Sequence, residues 1–303
     1  MGTDAEPEDD GLSEGIVRTY LYMRVAVAAM VVLLFVGLAV YIAWSGRWLS
    51  SMSAYFYTPV QTVFVGSLFA AGVMAIVIRG RRGLENNLLD AAGLLLPIVA
   101  AIPTPLKGDP GIPGARCPRR EMCVPKDFVP YADVTVTTLA VVGAAGLIFA
   151  TFTLRSRGWG DRSDRWGFAA ACVLWLAFVP GYAGRYGDTV RGLILDLGHY
   201  AAAIGAIVAM ILVAIINARQ STRTVPLPGR AVRAGPLYRA IAWAMGAVLA
   251  VGVVVAVIEL RNRTSDASHL VFWLEFGLLG LFAIFWTVQT FEYREAGLPA
   301  EAR

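Results

Sequence analysis

The chain has 303 residues, 57% of them hydrophobic and 16% charged, with a mean hydropathy of +0.61. Soluble domains are about a quarter charged, so an ordinary water-soluble globule is excluded. The 26 basic and 22 acidic residues leave a net charge of +4, too small and too dispersed for a nucleic-acid-binding face.

Residues 1–15 form an acidic tail with six acids and no base, predicted to be a disordered cytoplasmic segment. The apolar run after Arg24 lacks a small-residue cleavage site and reads as a retained first span, about Val25–Trp44. The second span is about Pro59–Ile78, with Thr58 as its cap, Pro59 at the first helical position and Gln61 able to close a capping box. The third is about Asn87–Ile102, capped by Asn86 or Asn87, with Pro97 inside it. After a long connection, 103–133, come spans at about Val134–Leu154, Trp166–Tyr182 (ended by Pro180) and Leu197–Ile216, whose helix begins near Asp188. The last two are Tyr238–Ile258 and His269–Thr290, before a short tail, 296–303. Eight stretches of about 20 apolar residues predict an all-α polytopic transmembrane bundle over 16–295.

The arginines set the orientation. With the N-terminus cytoplasmic, 16 basic residues fall inside and 10 outside, and the short loops alone divide 12 to 5. That favours both termini inside. The localisation that follows is a bacterial plasma membrane, crossed several times. Cys117 and Cys123 then share an external, oxidising loop, where a disulfide is preferred to a metal clip because no histidine lies in the loop. Cys172 reads as a lipid-face or core filler.

Soluble-enzyme motifs give no lead. Gly11-Leu-Ser13-Glu-Gly15 matches a nucleophile elbow in spacing, but without the strand and helix that the motif needs. The candidate site is instead an outer polar pocket. Asp196 and His199 are three positions apart, and His269 and Glu275 reach the same side. Two imidazoles with carboxylates form a donor set for zinc, whose bound water could attack an ester or amide. The blander reading is a set of interfacial caps paired with arginine. No cofactor is expected; the metal alternative would use Asp196, His199 and His269. On one helix, His269 and Glu275 would stand about 240° apart, which argues against one small shared site. Ser51, Ser53, Tyr55 and Tyr57 add donors and ring faces suited to a headgroup or sugar.

The segment Ser51-Met-Ser-Ala-Tyr-Phe-Tyr-Thr-Pro59 with Val63-Phe-Val-Gly66 resembles the signature of an uncharacterised family of bacterial membrane proteins common in actinobacteria. Pro103-Thr104, His199-Tyr200, Phe272-Trp-Leu-Glu275 and Phe285-Trp-Thr-Val-Gln289 extend the resemblance over nearly all spans. It implies a fold and a location rather than an activity. Gln61-Thr62 stands where similar sequences are expected to carry a basic–acidic pair. A looser similarity is to membrane hydrolases of the alkaline-ceramidase type, which use Ser, Asp and His around zinc. Their paired HxxxH is not matched, since Trp273 follows His269 at that spacing. The expected role is a lipid- or amphiphile-binding accessory protein, not an enzyme, whose partners are membrane lipids and a further membrane protein or a second copy. Transport of a small or amphipathic solute and metal-dependent hydrolysis are the alternatives.

Overall fold

The computed structural model describes residues 8–78, 83–107, 110–118, 122–156, 158, 162–227, 230–262 and 269–296, with side chains from Gly15 onward, except 226, 227, 230, 259–262, 295 and 296. The helices are α1 (Glu8–Ser45), α2 (Gln61–Val77), α3 (Leu84–Ala101), α4 (Val129–Ser156), α5 (Arg162–Tyr182), α6 (Asp188–Gln220), α7 (Ala234–Asn262) and α8 (Leu270–Ala296). Short 3-10 turns, Ser53–Tyr57 and Lys126–Phe128, precede α2 and α4. Two antiparallel hairpins lie in connections: β1 (Leu106–Lys107) pairs with β2 (Met122–Cys123), and β3 (Thr224–Leu227) with β4 (Arg230–Arg233).

The fold is all-α, and six of these helices are long and apolar enough to cross a membrane. Gln61–Val77 is apolar but only 17 residues long, and α5 is diluted by Trp166, Trp175, Pro180 and Tyr182. Such helices make the chain a multi-pass membrane protein. Six helices close a ring, with α1 against α2, α2 against α3, α3 against α6, α6 against α7, α7 against α8, and α8 back against α1. The α4–α5 hairpin stands outside the ring and leans on α3 and α6. Along its 28 residues α4 buries only Ala132 and Val136.

Several boundaries move from their expected places. Helix α1 begins at Glu8, inside the tail expected to be disordered; acidic residues at a helix start are favoured by the dipole. Helix α3 begins at Leu84 after Gly83, whose φ of +94° suits a residue without a side chain. Asn87 is therefore no cap: its amide donates to the Ser163 hydroxyl at 3.0 Å and tethers α5. Helix α5 runs through Pro180 to Tyr182, and the freed chain turns as the Arg185 N–H donates to the Pro180 carbonyl at 2.9 Å. Helix α2 starts at Gln61, two residues late, because the Thr58 hydroxyl takes the Val60 N–H in a preceding turn. The start of α6 at Asp188 agrees with expectation.

Two closely packed glycines set the α2–α3 spacing. A Cβ on Gly72 would meet the Gly93 carbonyl oxygen at 2.8 Å, and one on Gly93 would meet the Gly72 oxygen at 2.7 Å. Small residues let backbones approach where lipid supplies no hydrophobic drive between helices.

Candidate functional site

At one end of the ring, here the aromatic end, the α1–α2 connection folds inward. Ser51 begins it, accepting the Ala54 N–H at 3.1 Å. Tyr55 is fully buried and its hydroxyl accepts the Leu49 N–H at 3.1 Å. The Tyr57 hydroxyl donates to the Thr104 carbonyl at 2.7 Å, locking the connection to the segment after α3. Burial pushes both phenols above their usual range, so they stay protonated. Glu275 reaches in from α8. It accepts the Ser53 hydroxyl at 2.9 Å, the Ser53 N–H at 3.2 Å and the Met52 N–H. One carboxylate thus satisfies three donors at the start of the 3-10 turn.

His269 lies before α8 rather than in it, with a φ of +53°. A 240° separation along one helix therefore does not apply to His269 and Glu275. His269 Nδ1 donates to the Leu49 carbonyl at 3.1 Å, and Glu275 holds Met52 and Ser53, so both serve the same connection. His199 is 2% exposed, and its Nδ1 lies 3.0 Å from the Val99 carbonyl oxygen and 2.8 Å from that of Ile102. It caps the last turn of α3. Asp196 is exposed on α6, so the three-residue spacing puts one partner at the surface and the other in the core. Among the described residues, no group of three His, Cys, Asp or Glu side chains is placed to hold a metal. The Cys117 and Cys123 sulfurs stand at disulfide distance, with Cα atoms 5.8 Å apart. Cys172 is a free, half-buried thiol on α5.

The opposite end holds a cluster that sequence reasoning missed. Arg24 of α1 is fully buried beneath three rings, its guanidinium carbon 4.5 Å from the Tyr20 centroid, 4.6 Å from Tyr293 and 5.4 Å from Trp286. It donates to the Tyr20 hydroxyl and to Gln289 Oε1. Gln289 passes a hydrogen bond to Asn217 Oδ1 at 3.2 Å, and Asn217 donates to Glu85 Oε1 at 2.9 Å. A cation on α1 is thereby joined to a carboxylate on α3 through two amides, on α8 and α6. Each bond runs in the same donor-to-acceptor direction, so the bonds polarise one another. Glu292 sits beside this chain and accepts the hydroxyls of Ser221 and Tyr238, both at 2.5 Å. Arg24, Glu85, Asn217, Gln289 and Glu292 are all buried.

The signal for this charged end was weak. Arg24, Glu85 and Glu292 fall just outside apolar runs, where a charge reads as a topology marker. Asn217 and Gln289 carry no charge at all. Only convergence distinguishes them, and convergence is tertiary.

A cavity of about 30 Å³ lies on the ring axis between the two ends, lined by residues of α1, α2, α3, α6 and α8. Its lining is apolar except for Ser67, whose buried hydroxyl has no hydrogen-bond partner among the described residues. A water there would find one polar partner where it usually needs at least two, so the cavity suits apolar contents. Along α8, Glu275 and Gln289 are separated by about 21 Å at 1.5 Å per residue. The arrangement is two hydrogen-bonded polar layers around an apolar middle, with the carboxylates and imidazoles committed to bracing. Comparison with family models, curated proteins and solved structures returns no match.

Proposed function

We propose that the chain crosses the bacterial plasma membrane eight times, with both termini cytoplasmic, and binds lipid or another amphiphile in an accessory rather than catalytic role. The arginine distribution supports the orientation, placing the charged end at the cytoplasmic face. The observation that carries the binding reading is the α4–α5 hairpin. Helix α4 buries two residues on the protein and turns Val141, Val142, Phe149 and Phe152 outward, so its solvent is hydrocarbon. The internal bracing of both polar layers agrees with this. Their spacing of about 21 Å is less than a hydrocarbon core of about 30 Å, where an unsatisfied polar group costs several kcal/mol.

The test is native mass spectrometry of the purified full chain after exhaustive detergent exchange. Retained lipid is expected; its complete loss would overturn the reading. For topology, single cysteines in the 79–82 and 103–133 connections of a cysteine-free background are exposed to an impermeant thiol reagent in intact cells. The second should label and the first should not. The reverse pattern would invert the orientation. For Cys117 and Cys123, alkylation of the denatured native chain should require prior reduction.

Transport is a second reading, favoured by the axial cavity between two polar layers. It requires solute uptake into proteoliposomes, abolished when Ala71→Phe fills the cavity.

A further inference from the structure

At the charged end the aromatic side chains divide by direction. Tyr20, Trp286 and Tyr293 face inward and enclose Arg24. Tyr22, Trp166 and Trp243 face outward, 61%, 65% and 75% exposed. Each of these three has an exposed arginine four residues nearer its helix end: Arg18 on α1, Arg162 on α5 and Arg239 on α7. Four residues are one helical turn, so arginine and ring share a face, with the cation about 6 Å further out. In the α1 pair, Arg18 Nε donates to the Tyr22 hydroxyl at 3.0 Å and its guanidinium lies 5.7 Å from the ring centroid. The same end carries Arg155, Arg219 and Arg294, exposed in the last turns of α4, α6 and α8. Among the described side chains, Asp164 is its exposed acid.

Two cations of the aromatic end are used differently. Arg191 pairs with Asp133 at 2.7 Å, and Arg47 donates to the Gly111 carbonyl. Those guanidiniums are spent on the protein, whereas Arg162 and Arg239 are exposed one turn beyond Trp166 and Trp243.

We propose that the Arg162–Trp166 and Arg239–Trp243 pairs are headgroup subsites for anionic phospholipid: the ring lies at the level of the acyl–glycerol boundary, and the guanidinium takes the phosphate above it. Interfacial aromatics sit at that depth, and a planar guanidinium matches a phosphate with two parallel hydrogen bonds. Charge complementarity selects the occupant, since a zwitterionic headgroup supplies phosphate but brings its own cation. This rests on the lipid-binding reading and assigns it a headgroup class and a place.

The full chain is purified, reconstituted in bilayer discs of phosphatidylcholine mixed equally with phosphatidylglycerol, then extracted and examined by native mass spectrometry. Each arginine near the surface is expected to weigh roughly fivefold in affinity. The wild type should retain phosphatidylglycerol in clear excess, and the excess should shrink as ionic strength rises. Combining Arg162→Gln and Arg239→Gln should erase the preference while leaving total retained lipid unchanged. The corresponding Arg→Lys set should keep most of it. Equal retention of both lipids by the wild type, or a preference that survives the Gln set or high salt, would overturn the inference alone. Retention of neither lipid would overturn the lipid-binding reading as well.

Discussion

At the aromatic end, a carboxylate on α8 gathers the N–H groups of a connection and closes the ring with a folded loop. At the charged end, a guanidinium on α1 is held by neutral partners, and a relay of amides carries its field to a carboxylate on α3. The first arrangement concerns two elements, α8 and the Ser53–Tyr57 turn. The second ties α1, α3, α6 and α8 together, while Glu292 brings in α7. The difference teaches where the ring is most cooperative. Removing one member of a local cap exposes a few donors, but removing one member of the relay unseats polar groups on other helices.

That contrast can be broken from the charged end first. Arg24→Met removes the cation and strands Gln289 and the Tyr20 hydroxyl, and should cost about 3–5 kcal/mol, for two hydrogen bonds to a charged group at roughly 1.5–3 kcal/mol each. Unfolding of the purified protein in detergent measures it, and a loss below that of Glu275→Leu would reverse the ranking of the two ends. At the aromatic end, Glu275→Leu leaves the Ser53 hydroxyl and two N–H groups unmet, for about 2–3 kcal/mol. Glu275→Gln retains an acceptor and should cost less. If the two variants unfold together, the carboxylate is not the cap described above.

Between the ends, Gly72→Val places carbon against the Gly93 carbonyl and Pro97, and should cost about 1–3 kcal/mol by overpacking. Melting in detergent should fall, and unchanged melting would mean that α2 and α3 pack further apart. The smallest effect has the opposite sign. Ser67→Ala deletes a buried hydroxyl that has no partner among the described residues and should stabilise the chain by up to about 1 kcal/mol. A clear destabilisation would place an acceptor or bound molecule in the axial cavity, and the transport reading would gain from it.

The aromatic end was half legible in the sequence. Ser51, Ser53, Tyr55 and Tyr57 stood out because polar and aromatic types cluster in seven residues, and their shared location is a matter of local chain. That they act as braces was not legible, because a serine reads the same whether its hydroxyl meets a ligand or Glu275. His269 misled angular reasoning because a helical turn was assumed where the backbone enters the left-handed region. His199 and Asp196 were correctly placed on one helix, yet a 300° step was enough to send one inward and leave the other at the surface.

The sequence by itself determined that this is a helical membrane protein and, the start of α1 apart, within a few residues where each helix runs. Hydrophobic length and flanking arginines are one-dimensional quantities, read by summing along the chain. Only the tertiary structure decided that six helices close a ring, that two stand outside it, and that Arg24, Gln289, Asn217 and Glu85 meet in its wall. Those residues are up to 265 positions apart. Their contact depends on which faces pack, and every helix here is apolar on nearly all sides, so hydropathy leaves that choice to shape and to a few buried polar groups.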